Sequence, residues 1–307
     1  EQADRHINPK IGGVKLSKLE PMHLQNLCSD LADTIGKRTA EMIRVQLHGA
    51  LKQAGRWQLI PRNPAEAVTP IKVPKQPITI WTPTEAARFL DTARAHRLYA
   101  AFYLAMSTGL RRGELLGLRW VDISKDRLKV TTSKTRKGHR TLKLSKDVLA
   151  VLTEHHSRQE AEKAKLSTWH GDGLVFTSTT GTPIGPRNFE RTWKDLQAET
   201  RSKWLEDTRK LLEVTTLTPE HKETLEETIK ALEAGRLFPT LRLHDLRHLH
   251  ASMLISKAKQ SPVEVAERLG HTNPSFTMDV YGHMFAEHNE EDEVSILDFL
   301  PSMGGTN

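Results

Sequence analysis

Five prolines fall within one short window, and they constrain the organisation of the chain more than any other feature. Proline removes a backbone donor and fixes φ, so regular structure is blocked where prolines cluster. The window predicts an interdomain linker, with the domain boundary between Pro70 and Trp81, and a length of 307 residues also suits two domains. The five residues are Pro61, Pro64, Pro70, Pro74 and Pro77.

The residue patterns on both sides of this proline window predict helices. Before it, leucines recur at helical spacing after Pro21, and a second helix is predicted behind a cap at Thr39. After it, Thr82 and Glu85 form a capping box that starts a new helix at Pro83. The apolar positions of the first two helices are Leu24, Leu27, Leu31, Met42, Ile43, Leu47 and Leu51.

Beyond Trp120 the periodicity changes from that of a helix to that of a strand. Two runs of alternating apolar residues flank a polar turn, predicted from Ser133 to Arg140, and helices resume from Asp147. The predicted fold class is therefore mainly α with a small antiparallel β-sheet (α+β). The alternating positions are Leu128, Val130, Thr132, Leu142 and Leu144.

Three further caps organise the C-terminal part. Thr218-Pro219 starts a helix in a charged stretch, residues 198–237, for which a surface helical hairpin is predicted. Ser261 starts a helix that Gly270 ends, and Asn273-Pro274 starts the next, which is predicted to carry Tyr281 near its end. His271 should therefore lie in the break between two short helices.

Composition limits the classes of protein that fit. Hydrophobic residues at 37% suffice for packed cores, and a net charge of +7 favours an acidic partner such as nucleic acid, although a mild charge excess on an ordinary soluble protein fits equally. The single cysteine, Cys28, excludes an internal disulfide and suits a reducing compartment. No apolar run reaches the roughly 20 residues that span a bilayer. We expect a cytoplasmic protein with no membrane partner.

Arginine, imidazole and phenol side chains concentrate near the C-terminal end. His244 and Arg247 are three residues apart and share one helix face, and His271 and Tyr281 follow. An arginine can hold two phosphate oxygens, an imidazole can exchange a proton, and a phenol that attacks phosphorus forms a covalent phosphoester that conserves bond energy. Arg111, after a turn of small residues, supplies a second arginine. Ordinary surface residues and a packed tyrosine remain the alternative for each position taken alone.

The polar turn after the first strand is crowded with cations. Lys134 can act as a general acid if the turn closes over DNA, or it can simply be solvated. Its neighbours are candidates for phosphate contacts, which position a duplex without reading its sequence. Glu114 is predicted to be a buried partner that orients a guanidinium. The candidate DNA contacts are Arg112, Arg136, Lys137, His139 and Arg140.

A metal site is the weaker interpretation of the histidines. His244 and His248 are four residues apart, but no HExxH motif is present, and no cysteine or carboxylate completes a ligand set. We expect no metal and no cofactor.

The order of these residues resembles the tyrosine recombinase (phage integrase) family, and most closely the integrases of mobile elements. The family pattern is an arginine after a TGLR-like turn, a lysine in a β-hairpin, an HxxR box, a leucine-glycine-histidine and a tyrosine. The resemblance runs from about Trp81 to His283, and the N-terminal helices resemble the core-binding domain of the family. The six matching positions are Arg111, Lys134, His244, Arg247, His271 and Tyr281.

The resemblance implies a role for each of these residues. Tyr281 would attack the scissile phosphate to give a 3′-phosphotyrosyl link, and Lys134 would protonate the leaving 5′-oxygen to give a free 5′-hydroxyl. Two arginines would stabilise the non-bridging oxygens, which is the electrostatic contribution expected to dominate. His244 would serve in proton transfer with the tyrosine, and His271 would hydrogen-bond the phosphate. The two arginines are Arg111 and Arg247.

The resemblance also implies an architecture and partners. A core-binding domain (1–73), a linker (74–80) and a catalytic domain (81–286, with a helical insertion at about 198–237) would clamp duplex DNA as a C-shape. Four subunits on two recombination sites would exchange strands through a Holliday junction, with accessory DNA-bending or directionality factors possible. The tail, residues 287–307, would dock on a neighbouring subunit or fold back on its own domain.

Two features depart from the family pattern. The 198–237 stretch is longer than the usual connection before the HxxR box. The second departure is that the sequence starts close to where a core-binding domain starts, so we expect either an N-terminally truncated protein or a recombinase that lacks the arm-site-binding domain of many integrases. Integration or excision of a phage or conjugative transposon is the predicted function, although the same residues would serve a chromosome-dimer resolvase or an invertase. A non-catalytic DNA-binding regulator on the same fold is the alternative, and so is a type IB topoisomerase-like relaxing enzyme.

Overall fold

The computed structural model describes residues 2–74, 78–131, 139–171, 173–213, 217–271 and 273–289. The chain divides into two compact units, Glu1–Pro77 and Ile78–Asn307. Several sequence predictions fall outside the described residues: Lys134, Arg136 and Lys137, and the apolar end of the tail.

The first unit is a small helical domain. After a π-helical turn (Ala3–Ile7) come α1 (Asn8–Ile11), a 3-10 turn (Leu16–Lys18), α2 (Pro21–Ile35), α3 (Lys37–Arg56) and another 3-10 turn (Pro64–Ala67). Helices α2 and α3 pack together and bury the predicted leucine face of α2. The core includes Leu24, Leu27, Cys28, Leu31, Ala40, Ile43 and Leu51.

Two details of this unit differ from the sequence predictions. Helix α3 begins at Lys37 with Gly36 at its N-cap in the left-handed region, so Thr39 is not the cap, and Met42 is 47% exposed. Part of the proline window also packs into the core. Asn63 caps the 3-10 turn by accepting from the Ala65 nitrogen at 3.0 Å, and Ala65 is buried. Proline blocked helix and sheet here, but it did not prevent burial of its neighbours.

The second unit is built from nine helices in the described part of the chain. In order they are α4 (Pro83–Ala93), α5 (Tyr99–Thr108), α6 (Arg112–Leu116), α7 (Lys146–Lys163), α8 (Pro186–Leu212), α9 (Pro219–Glu233), α10 (Asp245–Ser256), α11 (Pro262–Leu269) and α12 (Pro274–Asn289). The predicted starts at Thr82, Thr218 and Ser261 are confirmed, since each hydroxyl accepts from the backbone three residues on. Tyr281 lies in the middle of α12 rather than near its end.

One antiparallel sheet lies between α6 and α7. Its strands are β1 (Ile123–Ser124), β2 (Arg127–Val130) and β3 (Arg140–Lys143), in the order β1-β2-β3. The predicted alternation is confirmed, because Leu128, Val130 and Leu142 face the core. Arg140 pairs with Val130 as the first residue of β3, so the predicted turn is one residue too long at this end.

Aromatic side chains fill the centre of the second unit and fix the segment that leads into α10. Trp81 stacks on Phe238 with ring centroids 4.7 Å apart and donates to the Pro239 carbonyl at 2.8 Å. Trp193 on α8 donates to the Leu241 carbonyl at 2.7 Å. Gln197 both donates to and accepts from Leu241. These buried hydrogen bonds set the position from which the HxxR box begins.

The charged 198–237 stretch forms a helical hairpin with most of α9 exposed, as predicted. Its first helix, α8, begins at Pro186 within the core, where Phe189 and Trp193 are buried. Helix α9 carries five glutamates and two lysines. Since phosphate repels carboxylate, this helix is poorly suited to a DNA contact.

Candidate active site

Three consecutive backbone carbonyls at the end of α11 each accept a hydrogen bond from a different arginine. The Arg268 carbonyl accepts from Arg140 at 2.8 Å, the Leu269 carbonyl from Arg247, and the Gly270 carbonyl from Arg111 at 3.1 Å. The last carbonyls of a helix lack intrahelical partners and form the negative end of its dipole, so they suit cations. Side chains from three distant parts of the sequence therefore meet at one helix end.

Gly270 makes this helix end accessible. It ends α11 in the left-handed region, with φ +69°, which glycine adopts at low cost. A Cβ at this position would lie 2.9 Å from Nη1 of Arg140. The sequence prediction that Gly270 ends the helix is confirmed, and the structure adds that a side chain at this position would require the guanidinium group of Arg140 to shift.

Arg247 is the most deeply buried of the three arginines. Besides the Leu269 carbonyl, it donates through Nη1 to the Gly109 carbonyl at 2.8 Å. Gly109 ends α5 with φ +63°, and a Cβ there would lie 2.9 Å from Leu269. Burial and the neighbouring cations Arg111 and Arg140 lower the pKa of Arg247 to about 9. Among the described residues, no carboxylate forms an ion pair with Arg247.

Arg111 lies between α5 and α6 and is oriented by Glu114. Its Nη1 donates to the Glu114 carboxylate at 2.9 Å, and its backbone nitrogen donates to the same carboxylate at 3.0 Å. Burial raises the pKa of Glu114, but hydrogen bonds from Arg140 and Arg111 outweigh this and leave the pKa below its ordinary value. The prediction that Glu114 is a buried partner of a guanidinium is confirmed.

Arg140 is part of the interior rather than of a solvated turn. Its side chain is 7% exposed and bonds both oxygens of Glu114, at 3.2 and 3.0 Å. The arginine thus ties strand β3 to α6 and to the end of α11. Its position suits the support of Glu114 better than a direct DNA contact.

The charge of Arg247 is the least compensated in this cluster. The Glu114 carboxylate bonds Arg111 and Arg140, whereas Arg247 donates to the neutral carbonyls of Gly109 and Leu269. A buried cation without full compensation is costly, and an anion that arrives at the cluster relieves the cost. The arrangement is therefore suited to binding an anion such as a phosphate.

His271 lies beside the cluster, in the predicted break between α11 and α12. Its Nδ1 is 2.9 Å from the Thr277 hydroxyl, which fixes the ring. Burial, followed by Arg247, Arg111 and Arg140, lowers the pKa of His271 to about 4. The imidazole is consequently neutral near pH 7 and suits a hydrogen bond rather than an ion pair.

Tyr281 lies on α12 and is 2% exposed. Its side chain packs in a small apolar cluster with residues of α10 and α11. Its hydroxyl lies 2.5 Å from Nδ1 of His248 on α10. Burial raises the pKa of Tyr281 above its ordinary value, while Arg247 acts to lower it and Asp245 to raise it. The phenol is therefore neutral at rest, and Arg247 is near enough to favour its ionised form.

His244 occupies the N-cap of α10, one turn before His248. The two imidazole rings meet edge to face, with centroids 5.7 Å apart. Burial and the charges of Arg247 and Arg111 lower the pKa of His244. His244 is thus near both arginines, and His248 is the histidine that contacts Tyr281.

The other two tyrosines are less suited to nucleophilic chemistry. The Tyr103 hydroxyl donates to Asp147 at 2.6 Å, and burial together with this carboxylate raises the pKa of Tyr103 to about 12. Tyr99 packs beside Tyr103, with ring centroids 5.7 Å apart, and burial raises its pKa. Of the three phenols, Tyr281 is the one beside an arginine and an imidazole.

The remaining candidates lie at the surface or outside the described residues. Arg112 is exposed and forms an ion pair with Glu190, and His139 is exposed just before β3. Lys134, Arg136 and Lys137 lie outside the described residues. The structure therefore brings together five of the six positions named for catalysis: Arg111, His244, Arg247, His271 and Tyr281.

Sequence reasoning missed two contributors to this site. His248 was noted for its spacing from His244, yet its contact with Tyr281 depends on how α12 packs on α10. Thr277 was not singled out, because one threonine in a helix carries no recognisable signal. Its spacing of six residues from His271, across a helix start, becomes meaningful only when the bend between α11 and α12 is known.

In the described part of the chain, no group of three His, Cys, Asp or Glu side chains is arranged to hold a metal ion. In the same residues, no helix is both long enough and apolar enough to cross a membrane.

The sequence match to the Phage integrase family covers residues 80–288, which include every helix and strand that contributes to the site. The chain belongs to the phage integrase family. The tyrosine recombinase prediction is thereby confirmed, in the form carried by mobile elements, and with it the enzyme class of site-specific recombinase.

Two curated relatives illustrate the family's range. The ICEBs1 integrase of Bacillus subtilis (strain 168) is 25% identical over 97% of this chain and 76% of its own length. A XerC-like tyrosine recombinase of Caldanaerobacter subterraneus is 28% identical over 75% of this chain and 55% of its own. The chain thus spans about three quarters of the first relative and about half of the second.

Solved structures confirm the fold class. The Tn1549 transposon integrase in complex with transposon right end DNA matches with a TM-score of 0.66 at 17% identity, over 92% of this chain and 88% of that one. A lambda integrase dimer bound to a COC′ core site matches with a TM-score of 0.62 at 18% identity, over 95% of this chain and 72% of that one. At these identities the likeness concerns the fold alone.

Proposed function

We propose that this protein cuts and rejoins double-stranded DNA at recombination sites through a 3′-phosphotyrosine formed on Tyr281. The observation that carries the proposal is the convergence of Arg111, Arg140 and Arg247 on three successive carbonyls at the end of α11. This cationic cluster includes the Glu114 carboxylate. It lies in the same unit as Tyr281, and the charge of Arg247 favours the ionised form of the Tyr281 phenol.

The proposed mechanism assigns each group one task. The phosphate enters beside Arg111 and Arg247, whose guanidinium groups stabilise the charge that develops on the non-bridging oxygens. His271 donates a hydrogen bond to the phosphate, and His244 takes part in proton transfer at the tyrosine. Lys134 protonates the leaving 5′-oxygen. Rejoining reverses these steps with a 5′-hydroxyl as the nucleophile, so no energy source is required.

The first unit supports the DNA-binding part of the proposal. Residues 1–77 contain 12 lysines and arginines against 7 aspartates and glutamates, which accounts for most of the net charge of +7. A basic helical unit in the same chain as a catalytic unit suits phosphate contacts along a DNA duplex. The affinity for DNA should then fall steeply as the salt concentration rises. We propose that it serves as the core-binding domain.

We further propose that four subunits act on two sites through a Holliday junction, with accessory factors that bend the DNA or set directionality. Integration and excision of a mobile element is the biological reaction that we infer. The Bacillus subtilis relative, which is named as an integrase, supports this choice over a resolvase or an invertase.

The test is covalent capture of DNA. Wild-type protein is incubated with a pool of nicked duplexes of randomised sequence, protein-linked DNA is recovered and amplified, and the selected duplex becomes the substrate. We expect a protein–DNA adduct on a denaturing gel for wild type and none for Tyr281→Phe. Binding without an adduct would favour a DNA-binding regulator, and supercoil relaxation by a monomer without strand exchange would favour a topoisomerase-like enzyme.

A further inference from the structure

His248 contacts the hydroxyl of Tyr281, the proposed nucleophile. His248 is not one of the two residues that define the HxxR box, and the mechanism proposed above gives it no role. Its Nδ1 lies 2.5 Å from the Tyr281 hydroxyl, and the two rings are 5.8 Å apart. The contact joins α10 to α12 and lies among buried residues. A phenol O–H donates to Nδ1 when the imidazole carries its own proton on Nε2.

The surroundings of His248 favour a neutral imidazole at rest. Burial, followed by His244, lowers the pKa of His248, and Arg242 and Arg247 act in the same direction while Asp245 opposes them. From the loop between α11 and α12, His271 also interacts electrostatically with His248. A neutral ring near pH 7 is one that can accept a proton.

We propose that His248 is the base that accepts the phenol proton when Tyr281 attacks phosphorus. As the bond between Oη and phosphorus forms and the bond between phosphorus and O5′ breaks, the phenol proton passes to Nδ1 of His248, and the 5′-oxygen takes its proton from Lys134. In rejoining, His248 returns the proton to Oη. This step rests on the proposed function and refines it. The proton acceptor is now His248, which lies one helical turn beyond His244.

Geometry favours His248 over His244 for this step. His248 contacts the reacting oxygen directly, whereas the ring of His244 is 5.7 Å from that of His248 and lies at the N-cap of the helix. A base must be within hydrogen-bond reach of the proton that it removes. His244 then remains available to the phosphate or to a relay through its neighbour.

The experiment measures adduct formation on the duplex selected by covalent capture. His248→Asn places an amide near the position of Nδ1 and keeps a hydrogen bond to Tyr281, but an amide accepts no proton at neutral pH. We expect His248→Asn and His248→Ala to slow cleavage by about 100-fold or more, the usual contribution of a positioned base. His221→Asn, an exposed histidine on α9, should cleave at the wild-type rate.

Two readouts separate proton transfer from positioning. With a sulfur atom in place of the bridging 5′-oxygen, the leaving group needs no acid, so a defect at the nucleophile should persist. The wild-type rate should also fall below the depressed pKa of a histidine, and this acidic limb should be lost in His248→Asn. Rescue of the variant by the sulfur substrate, or wild-type cleavage by His248→Asn, would overturn the proposal.

Failure of the inference differs from failure of the proposed function. If wild type forms no adduct with any duplex, the recombination chemistry itself is wrong. If wild type forms an adduct and His248→Asn matches it, only the role of His248 is wrong. Nitrogen NMR of the DNA-free protein gives an independent check, since the Nδ1 resonance of His248 should shift in Tyr281→Phe, and an unchanged resonance would contradict the contact. Thermal unfolding of His248→Asn confirms that the variant is folded.

Discussion

The arginine cluster at the end of α11 and the hairpin of α8 and α9 use the same residue types in opposite surroundings. In the cluster, Arg140 and Glu114 form an ion pair with side chains that are 7% and 3% exposed. In the hairpin, Arg209 and Glu233 form a pair whose side chains are 59% and 51% exposed. Composition alone does not distinguish these two regions.

The difference between the two regions shows that the surroundings of an arginine, and not the number of charges in its region, make it part of a binding site. Water competes for exposed pairs, which contribute little to stability. In the cluster, helix-end carbonyls and the Glu114 carboxylate replace water and fix the position of each guanidinium group. Exposed positions of the hairpin can change with small effects on stability, whereas positions of the cluster cannot.

The largest expected difference concerns the two glutamates. Glu114→Gln removes the carboxylate that pairs with the buried Arg140 and with Arg111, and we expect a loss of roughly 3–5 kcal/mol in the free energy of unfolding. Glu233→Gln should cost at most about 1 kcal/mol. Urea unfolding of the two variants measures both, and comparable losses would show that the cluster is not electrostatically distinct.

Two left-handed glycines give a second matched pair. Gly235, at the end of the hairpin, has φ +65° and open space around an added Cβ, so Gly235→Ala should cost about 1–2 kcal/mol of backbone strain. Gly270→Ala carries the same strain and also displaces Arg140, which adds about 1 kcal/mol for a lost hydrogen bond. Thermal unfolding measures the difference. Only Gly270→Ala should also slow DNA cleavage, since the Gly270 carbonyl holds Arg111.

The last expected difference concerns pH. Burial, followed by Arg268, lowers the pKa of His250 to about 3 from an ordinary value of 6.5. The stability supplied by the neutral ring is therefore complete above pH 6.5 and is lost as the pH falls towards 3. Between about pH 7 and about pH 5 the wild type should lose about 2 kcal/mol through this group.

His250→Gln should remove that loss, and His221→Gln on the hairpin should retain it. Urea unfolding of both variants at the two pH values tests the difference. The same pH dependence in His250→Gln as in wild type would assign the loss to other groups.

Local signals predicted much of the fold. The capping boxes at Thr82 and Ser261, the proline after Thr218 and the alternation at Leu128 and Val130 all depend on neighbours in sequence, and the structure confirms each one. The cap at Thr39 was wrong because Gly36, with its positive φ, is the N-cap of α3 three residues earlier. The strand β1 was missed because two residues carry no periodicity.

The sequence by itself determined the family, the fold class and the order of the residues named for catalysis, because motifs of this kind are short and local. Tertiary structure alone decided which partners these residues have. The gathering of three arginines on α11, the burial of Arg140 and the choice of His248 over His244 as the contact of Tyr281 all join segments far apart in the chain. Such contacts depend on how helices pack in three dimensions, and neither spacing nor composition encodes that packing in a form that can be read locally.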